Sequence, residues 1–136
     1  MRAKEYLMQY KKAKLEVERL DRQLHEINDL LGNITIDPTT EKVQTSPEPD
    51  QIGKLVARRA DLIADITKAR NESLDVMEDV RSVIEKVDNT EYRRLLQAKY
   101  IECRSWRKVI ELLHWSERSI FRKHKSALQV VDRILE

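Results

Sequence analysis

From Tyr6 to Ile34 the apolar residues recur at alternating steps of four and three: Tyr6, Tyr10, Ala13, Val17, Leu20, Leu24, Ile27, Leu31 and Ile34. Such a register is kept only by a helix that lays one narrow seam against a partner helix, in the manner of a coiled coil. Leu30, Leu31 and Gly32 close the run, with glycine suited to a left-handed cap. The spacing predicts a helix of about 29 residues, roughly 44 Å long, longer than a small compact domain is wide.

A helix of that kind needs a partner, and the chain supplies one. Residues 35–50 (TIDPTTEKVQTSPEPD) hold all three prolines. They are expected to form a loop ending on Asp50 as an N-cap. A second helix is expected from Gln51 to Val87, with a seam of Ile52, Leu55, Leu62, Ile66, Ala69, Val76, Val80, Val83 and Val87. Val56, Ile63, Met77 and Ile84 widen this stripe, which suits a helix with more than one neighbour. Arg59, Arg70 and Ser73 interrupt it. Two long helices joined by one loop fold back antiparallel, and a hairpin this thin is expected to form a homodimer.

With two glycines, three prolines and 37% charged residues, the chain has too few turn residues for a strand-rich fold. The expected class is all-α: a long antiparallel, coiled-coil-like hairpin over 1–88, then a small helix-turn-helix domain over 89–136. No apolar run exceeds three residues, so no membrane span is expected. The lone Cys103 excludes an internal disulfide framework, and the N-terminus with Lys4, Glu5, Lys11 and Lys12 has no secretory core. Both point to the cytoplasm.

Charge is unevenly placed. Residues 1–88 carry 15 Lys/Arg and 18 Asp/Glu, whereas 89–136 carry 11 and 6. In the basic segment a break at Asp88–Glu91 precedes three short helices. The first is expected over Glu91–Ile101, with Tyr92, Leu95, Leu96 and Tyr100 on one face. The second, Trp106–Leu113, is capped by Ser105 and turns Trp106, Val109, Ile110 and Leu113 inward. The third, Glu117–Leu135, is capped by Ser116 and buries Ile120, Phe121, His124, Leu128, Val131 and Ile134 or Leu135. Only His114, Trp115 and Ser116 separate the last two, which is the spacing of a helix-turn-helix.

Read as a module for double-stranded DNA, the segment assigns its residues by chemistry. Arg118 and Arg122 suit guanine O6 and N7, and Glu117 suits an accepting role toward cytosine N4. Ser116, Ser119, Lys123 and Lys125 suit phosphates, as do Arg104, Arg107 and Lys108 at the start of the preceding helix.

The stretch YRRLLQAKYIECRSWRKVIELLHWSERSIFRKHKSAL (92–128) resembles region 4 of bacterial sigma factors. The likeness lies in the Leu-x-x-x-Tyr of the lead helix, the Ser-Trp opening of the next, the Ser-x-Arg-x-Ile-x-Arg pattern and the Lys-x-Ala-Leu close. The whole chain, with its Val-Gln-Thr-Ser loop (43–46), is similar to a family of small proteins from phages and prophages of Gram-positive bacteria. In its C-terminal half it is similar to late-transcription activators of the ArpU and RinA kind. The resemblance implies promoter reading in a bacterial host cell, with Glu117, Arg118 and Arg122 at the base-reading places. In a regulator of this kind the hairpin is expected to serve dimerisation or to contact RNA polymerase. Segments that open a promoter have no counterpart here, so a complete sigma factor is not expected.

Other chemistries have weaker footing. Cys103, His114 and His124 are spaced unlike any common zinc site, so no metal and no cofactor are expected. Carboxylate pairs such as Asp61/Asp65 and Glu78/Asp79 fall on the solvated faces of a charged helix, and no catalytic residue is assigned. Trp106, Trp115 and the four tyrosines read as packing anchors. Two alternatives to a regulator stand. One is a small terminase-like DNA-packaging protein. The other is an RNA polymerase-binding protein that does not read sequence.

Overall fold

The computed structural model describes residues 2–32 and 49–136. Its elements are α1 (Arg2–Gly32), α2 (Pro49–Glu85), α3 (Thr90–Leu96), a π-helical turn (Gln97–Ile101), α4 (Trp106–Leu113) and α5 (Glu117–Leu135). The protein is all-α, and no strand occurs among the described residues. The loop expected over 35–50 lies outside the described residues, apart from its last two positions. Those two belong to α2, so Asp50 is not the cap that the sequence suggested. The helix opens on Pro49, whose fixed φ and missing N–H suit a first helical position. At the other end α2 stops at Glu85, two residues short of the expected Val87.

Two compact units divide the chain elsewhere than at 88/89. One comprises Met1–Leu15 with Ser73–Glu136, and the other is Glu16–Glu72. In the first unit, the start of α1 and the end of α2 share a core with the C-terminal helices. Ala3, Leu7 and Tyr10 pack there with Val80, Val83, Ile84 and Val87, and with Leu96, Tyr100, Ala127, Leu128 and Val131. A smaller core of Leu95, Ala98, Val109, Leu113 and Ile120 lies under Trp106, Ile110 and Trp115. Neighbouring Leu95 and Leu96 thus serve different cores, and α5 serves both, through Ile120 early and Leu128 and Val131 later. The apolar face of α5 is longer than α3 and α4 can cover, and α1 and α2 supply the rest. An N–H from the first turn of α1, that of Ala3, donates to the Asp132 carboxylate of α5 at 2.9 Å. This carboxylate satisfies a donor with no partner inside its own helix and opposes the positive end of the helix dipole.

The register of α1 changes accordingly. Tyr6 was expected in the seam but is only half-buried, while Leu7 and Ala3 are fully buried. Several neighbours in place of one rotate the buried face. Arg81 donates to the Tyr10 hydroxyl at 2.7 Å across the two helices.

The 16–72 unit is thinner. Among its described residues the buried apolar side chains are Val17, Leu20 and Ile66. The α1–α2 links there are polar and exposed: Arg70 to Asp21 at 2.6 Å and Arg59 to Asn28 at 3.2 Å. Residues later in α1 meet residues earlier in α2, so the helices run antiparallel in this unit. Four positions expected in the apolar stripe of α2 are instead exposed, at 48% for Ile52, 44% for Leu55, 61% for Val56 and 41% for Leu62. A single helical neighbour does not reach across a stripe of that width.

Candidate nucleic-acid interface

Local chemistry sets the geometry of the last two helices. Ser105 and Ser116 are extended N-cap residues whose hydroxyl oxygens accept from Lys108 N–H at 3.3 Å and Ser119 N–H at 3.1 Å. Asn89 does the same for α3 through Tyr92 N–H at 3.1 Å. All three are short polar residues placed where a helix must find partners for its first N–H groups. α4 ends on His114 at φ 57°, in the left-handed region, its N–H donating to the Ile110 carbonyl. The chain therefore leaves α4 and enters α5 over His114, Trp115 and Ser116 without a glycine.

The lead helix ends differently. Glu102 N–H reaches back to the Gln97 carbonyl at 2.9 Å, and Arg104 N–H reaches Ala98 at 3.1 Å. Cys103 stands at φ 55°, its thiol directed at the carbonyls of Tyr100 and Ile101. The wider turn places Ala98 in one core and Tyr100 in the other. Regular i, i+4 spacing in the sequence gave no sign of it.

Four aromatic or imidazole rings fix α4 against α5. Trp106 lies edge-on to Phe121 at 5.2 Å and to His124 at 4.6 Å. Phe121, expected inside, is 43% exposed, because it flanks the buried face and is covered on the Trp106 side. Tyr100 and His124 stack and share a hydrogen bond of 2.7 Å. Burial, with Lys4 and Lys99 nearby, pushes the His124 pKa down to about 4, and burial pushes the Tyr100 phenol up to about 12. Near neutral pH the phenol is therefore the donor and the neutral His124 Nε2 the acceptor. His124 is a packing residue with a polar edge.

On the opposite side of α5 from Ile120, Ala127 and Val131, three cations follow one another at steps of four and three: Arg118, Arg122 and Lys125. All three side chains are exposed, and none has an ion-pair or hydrogen-bond partner among the described residues. Glu117 is exposed at the first turn. Lys108 is likewise exposed and unpaired among the described residues, and Arg107 is 91% exposed with a long 3.9 Å contact to Glu111. Ser116 uses its oxygen as a cap acceptor and keeps its O–H to donate.

Two expected phosphate ligands are engaged elsewhere. Lys123 is only 21% exposed; its ammonium lies 3.0 Å from Glu91 and 3.9 Å from the centre of the Trp115 ring. Arg104 pairs with Glu102 at 3.1 Å. Ser119 is half-buried, its N–H taken by the cap. The arrangement thus brings Arg118, Arg122 and Lys125 into one row, sets Arg107, Lys108 and Ser116 at the helix starts, and ties Lys123 and Arg104 into the fold. No group of three His, Cys, Asp or Glu side chains suited to a metal occurs among the described residues. Among the described residues no helix is long and apolar enough to cross a membrane.

The model of a family described as Protein of unknown function (DUF1492) matches residues 39–132, well over half of the chain. No curated protein and no solved structure matches it.

Proposed function

We propose, for this chain, which belongs to the DUF1492 family, that it is a DNA-binding transcription regulator of phage or prophage type that reads a promoter element through α4 and α5. The observation that carries the reading is the row Arg118–Arg122–Lys125. Three cations with no partner among the described residues stand opposite the buried face of a helix whose start is held by Ser116 and the His114 turn. An exposed cation row without compensating carboxylates makes a positive surface that attracts a polyanion, and its helical spacing suits side chains entering a major groove. Arg118 and Arg122 read bases, with Glu117 restricting the accepted base. Lys125, Lys108, Arg107 and Ser116 meet phosphates. Lys123 and Arg104 are left out of that set, since detaching either costs an existing ion pair.

The exposed residues Ile52, Leu55, Val56 and Leu62 favour a second element of the reading, a homodimer through α2. Two modules on one dimer raise occupancy well above that of either alone. A ring of many copies would instead favour the packaging-protein reading.

The test is selection of bound sites from random duplex DNA by the full chain, with and without bacterial RNA polymerase. We expect an enriched motif whose recovery fails with the Arg118→Ala/Arg122→Ala variant while its helicity is unchanged. On the preferred site Arg122→Ala should cost about 1–3 kcal/mol and relax one position. With about four phosphate contacts per module, log affinity should fall against log salt with a slope of roughly −3 to −4. A double variant that keeps both fold and affinity removes the row from the interface and leaves a polymerase-binding protein without sequence readout.

A further inference from the structure

A groove of about 540 Å³, whose lining includes none of Arg118, Arg122 and Lys125, lies within the first compact unit. It is lined by Lys4, Leu7, Met8, Lys11, Lys12 and Leu15 of α1 and by Lys99, Tyr100, Cys103 and Trp106. Its chemistry is of two kinds. The α1 wall carries two apolar side chains that are 54% exposed, Met8 and Leu15, seven residues apart and so on one face. Four lysines and, among the described residues, no carboxylate line the groove with them, while Glu5 and Glu18 stand one turn away outside its lining. Lys4, Lys11 and Lys12 have no ion-pair partner among the described residues. Lys99 is held 4.7 Å from the centre of the Trp106 ring and 3.4 Å from the Arg104 carbonyl. Its pKa is lowered, first by burial and then by Lys11 and Lys4. Lys11 and Lys4 thus oppose the charge on Lys99, and a bound anion would relieve that opposition.

We propose that this groove docks an acidic amphipathic helical segment of a partner protein, with leucine-like side chains on Met8, Leu15 and Trp106 and its carboxylates on Lys4, Lys11, Lys12 and Lys99. The mixed lining selects this occupant. A DNA backbone or a free phosphate would answer the lysines but leave Met8 and Leu15 uncovered, and a neutral apolar segment would leave the lysines unanswered. An acidic helix whose apolar residues recur at three and four answers both, as in helix-in-groove recognition. The groove shares no residue with the proposed base-reading set, so the two readings stand or fall separately.

The probe is a labelled synthetic helix of roughly five turns built from glutamate and leucine in that pattern, followed by fluorescence anisotropy against the full chain. Its partner probe has lysine in place of every glutamate. The acidic peptide should bind saturably and the basic one should not. Lys4→Gln/Lys11→Gln/Lys12→Gln should weaken binding about tenfold, and Met8→Ser/Leu15→Ser about threefold or more. All five side chains are exposed, so circular dichroism should be unchanged. Arg118→Ala/Arg122→Ala should leave the peptide affinity as it was while abolishing site selection on DNA. Equal binding of the two peptides overturns the proposal. Loss on removing the lysines but not Met8 and Leu15 also overturns it, because the attraction is then a diffuse charge effect. Displacement of the peptide by duplex DNA would assign the groove to the nucleic acid instead.

Discussion

The two compact units contain stretches of the same two helices, written in a similar apolar code, yet bury them to very different degrees. In the 16–72 unit the apolar stripe of α2 has one helical neighbour among the described residues, and Ile52, Leu55, Val56 and Leu62 are exposed. In the unit of residues 1–15 and 73–136, Val80, Ile84 and Val87 are at most 1% exposed, because α1, α3 and α5 all meet them. Periodicity thus reports which side of a helix is apolar. Burial depends on how many partners arrive, and the number of partners is a tertiary property.

The largest effect should come from testing that difference directly. Leu7 and Ile66 are both buried aliphatic side chains, one in each unit. Leu7→Ala opens a hole in a core walled by three further elements and should cost about 2–5 kcal/mol. Ile66→Ala lies in a two-helix layer where water and neighbours can refill the space, so the loss should be nearer ~1 kcal/mol. Urea unfolding followed by helicity reads both. Equal losses would mean that the two units are equally well packed, and the comparison would fail.

Much of this was legible in the sequence. Ser105 and Ser116 cap helices as expected, because a short polar side chain just before an apolar run has few other uses. Leu95, Leu96, Tyr100, Val109, Leu113, Ile120 and Leu128 are buried where the helical period put them. Ala3 and Leu7 were missed, since the clean four-three seam through Tyr6 assumes one partner and the start of α1 has several. The π-helical turn at Gln97–Ile101 and the left-handed Cys103 were missed because neither leaves a residue-type signature. For the interface, sequence chemistry named the cations, but only the folded chain separates Lys123, held by Glu91 and Trp115, from the unpaired Arg118 and Arg122. The lysine-rimmed groove was invisible for the same reason, as Lys99 and Lys11 are distant in sequence.

A smaller effect tests the polar edge of the well-packed unit. Unfolded, His124 takes up a proton near pH 6.5; folded, it resists until about pH 4, through burial above all and then through Lys4 and Lys99. Between those values the unfolded state binds more protons, so stability falls as the pH falls. The contribution is whole above pH 6.5, declines through the window and is gone below about pH 4. Allowing for solvent screening of a ring that is only partly buried, the loss should be roughly 1–2 kcal/mol. His124→Gln keeps an acceptor for the Tyr100 hydroxyl and removes the titration. The difference between the two proteins, taken from urea midpoints at pH 7, 6, 5 and 4, isolates this ring from the carboxylates. A wild-type curve parallel to that of the variant would show that the ring is hydrated and takes no part.

The smallest effect on folding belongs to the thin unit and is the most informative about what the exposed stripe is for. Leu55→Gln/Val56→Gln removes two side chains that are 44% and 61% exposed, so little burial is given up within the chain. Gln matches Leu as a helix former and exceeds Val, so propensity returns a few tenths of a kcal/mol. Propensity offsets part of the burial lost, and the unfolding free energy of the monomer should fall by about 1 kcal/mol or less. Self-association should respond quite differently. If a second copy covers this stripe, its apolar contacts are lost on both partners at once, and a dimer seen by sedimentation at tens of micromolar should shift toward monomer with the fold intact. An unshifted dimer would move the contact away from α2, and a large loss of monomer stability would show that these side chains are packed within the chain after all.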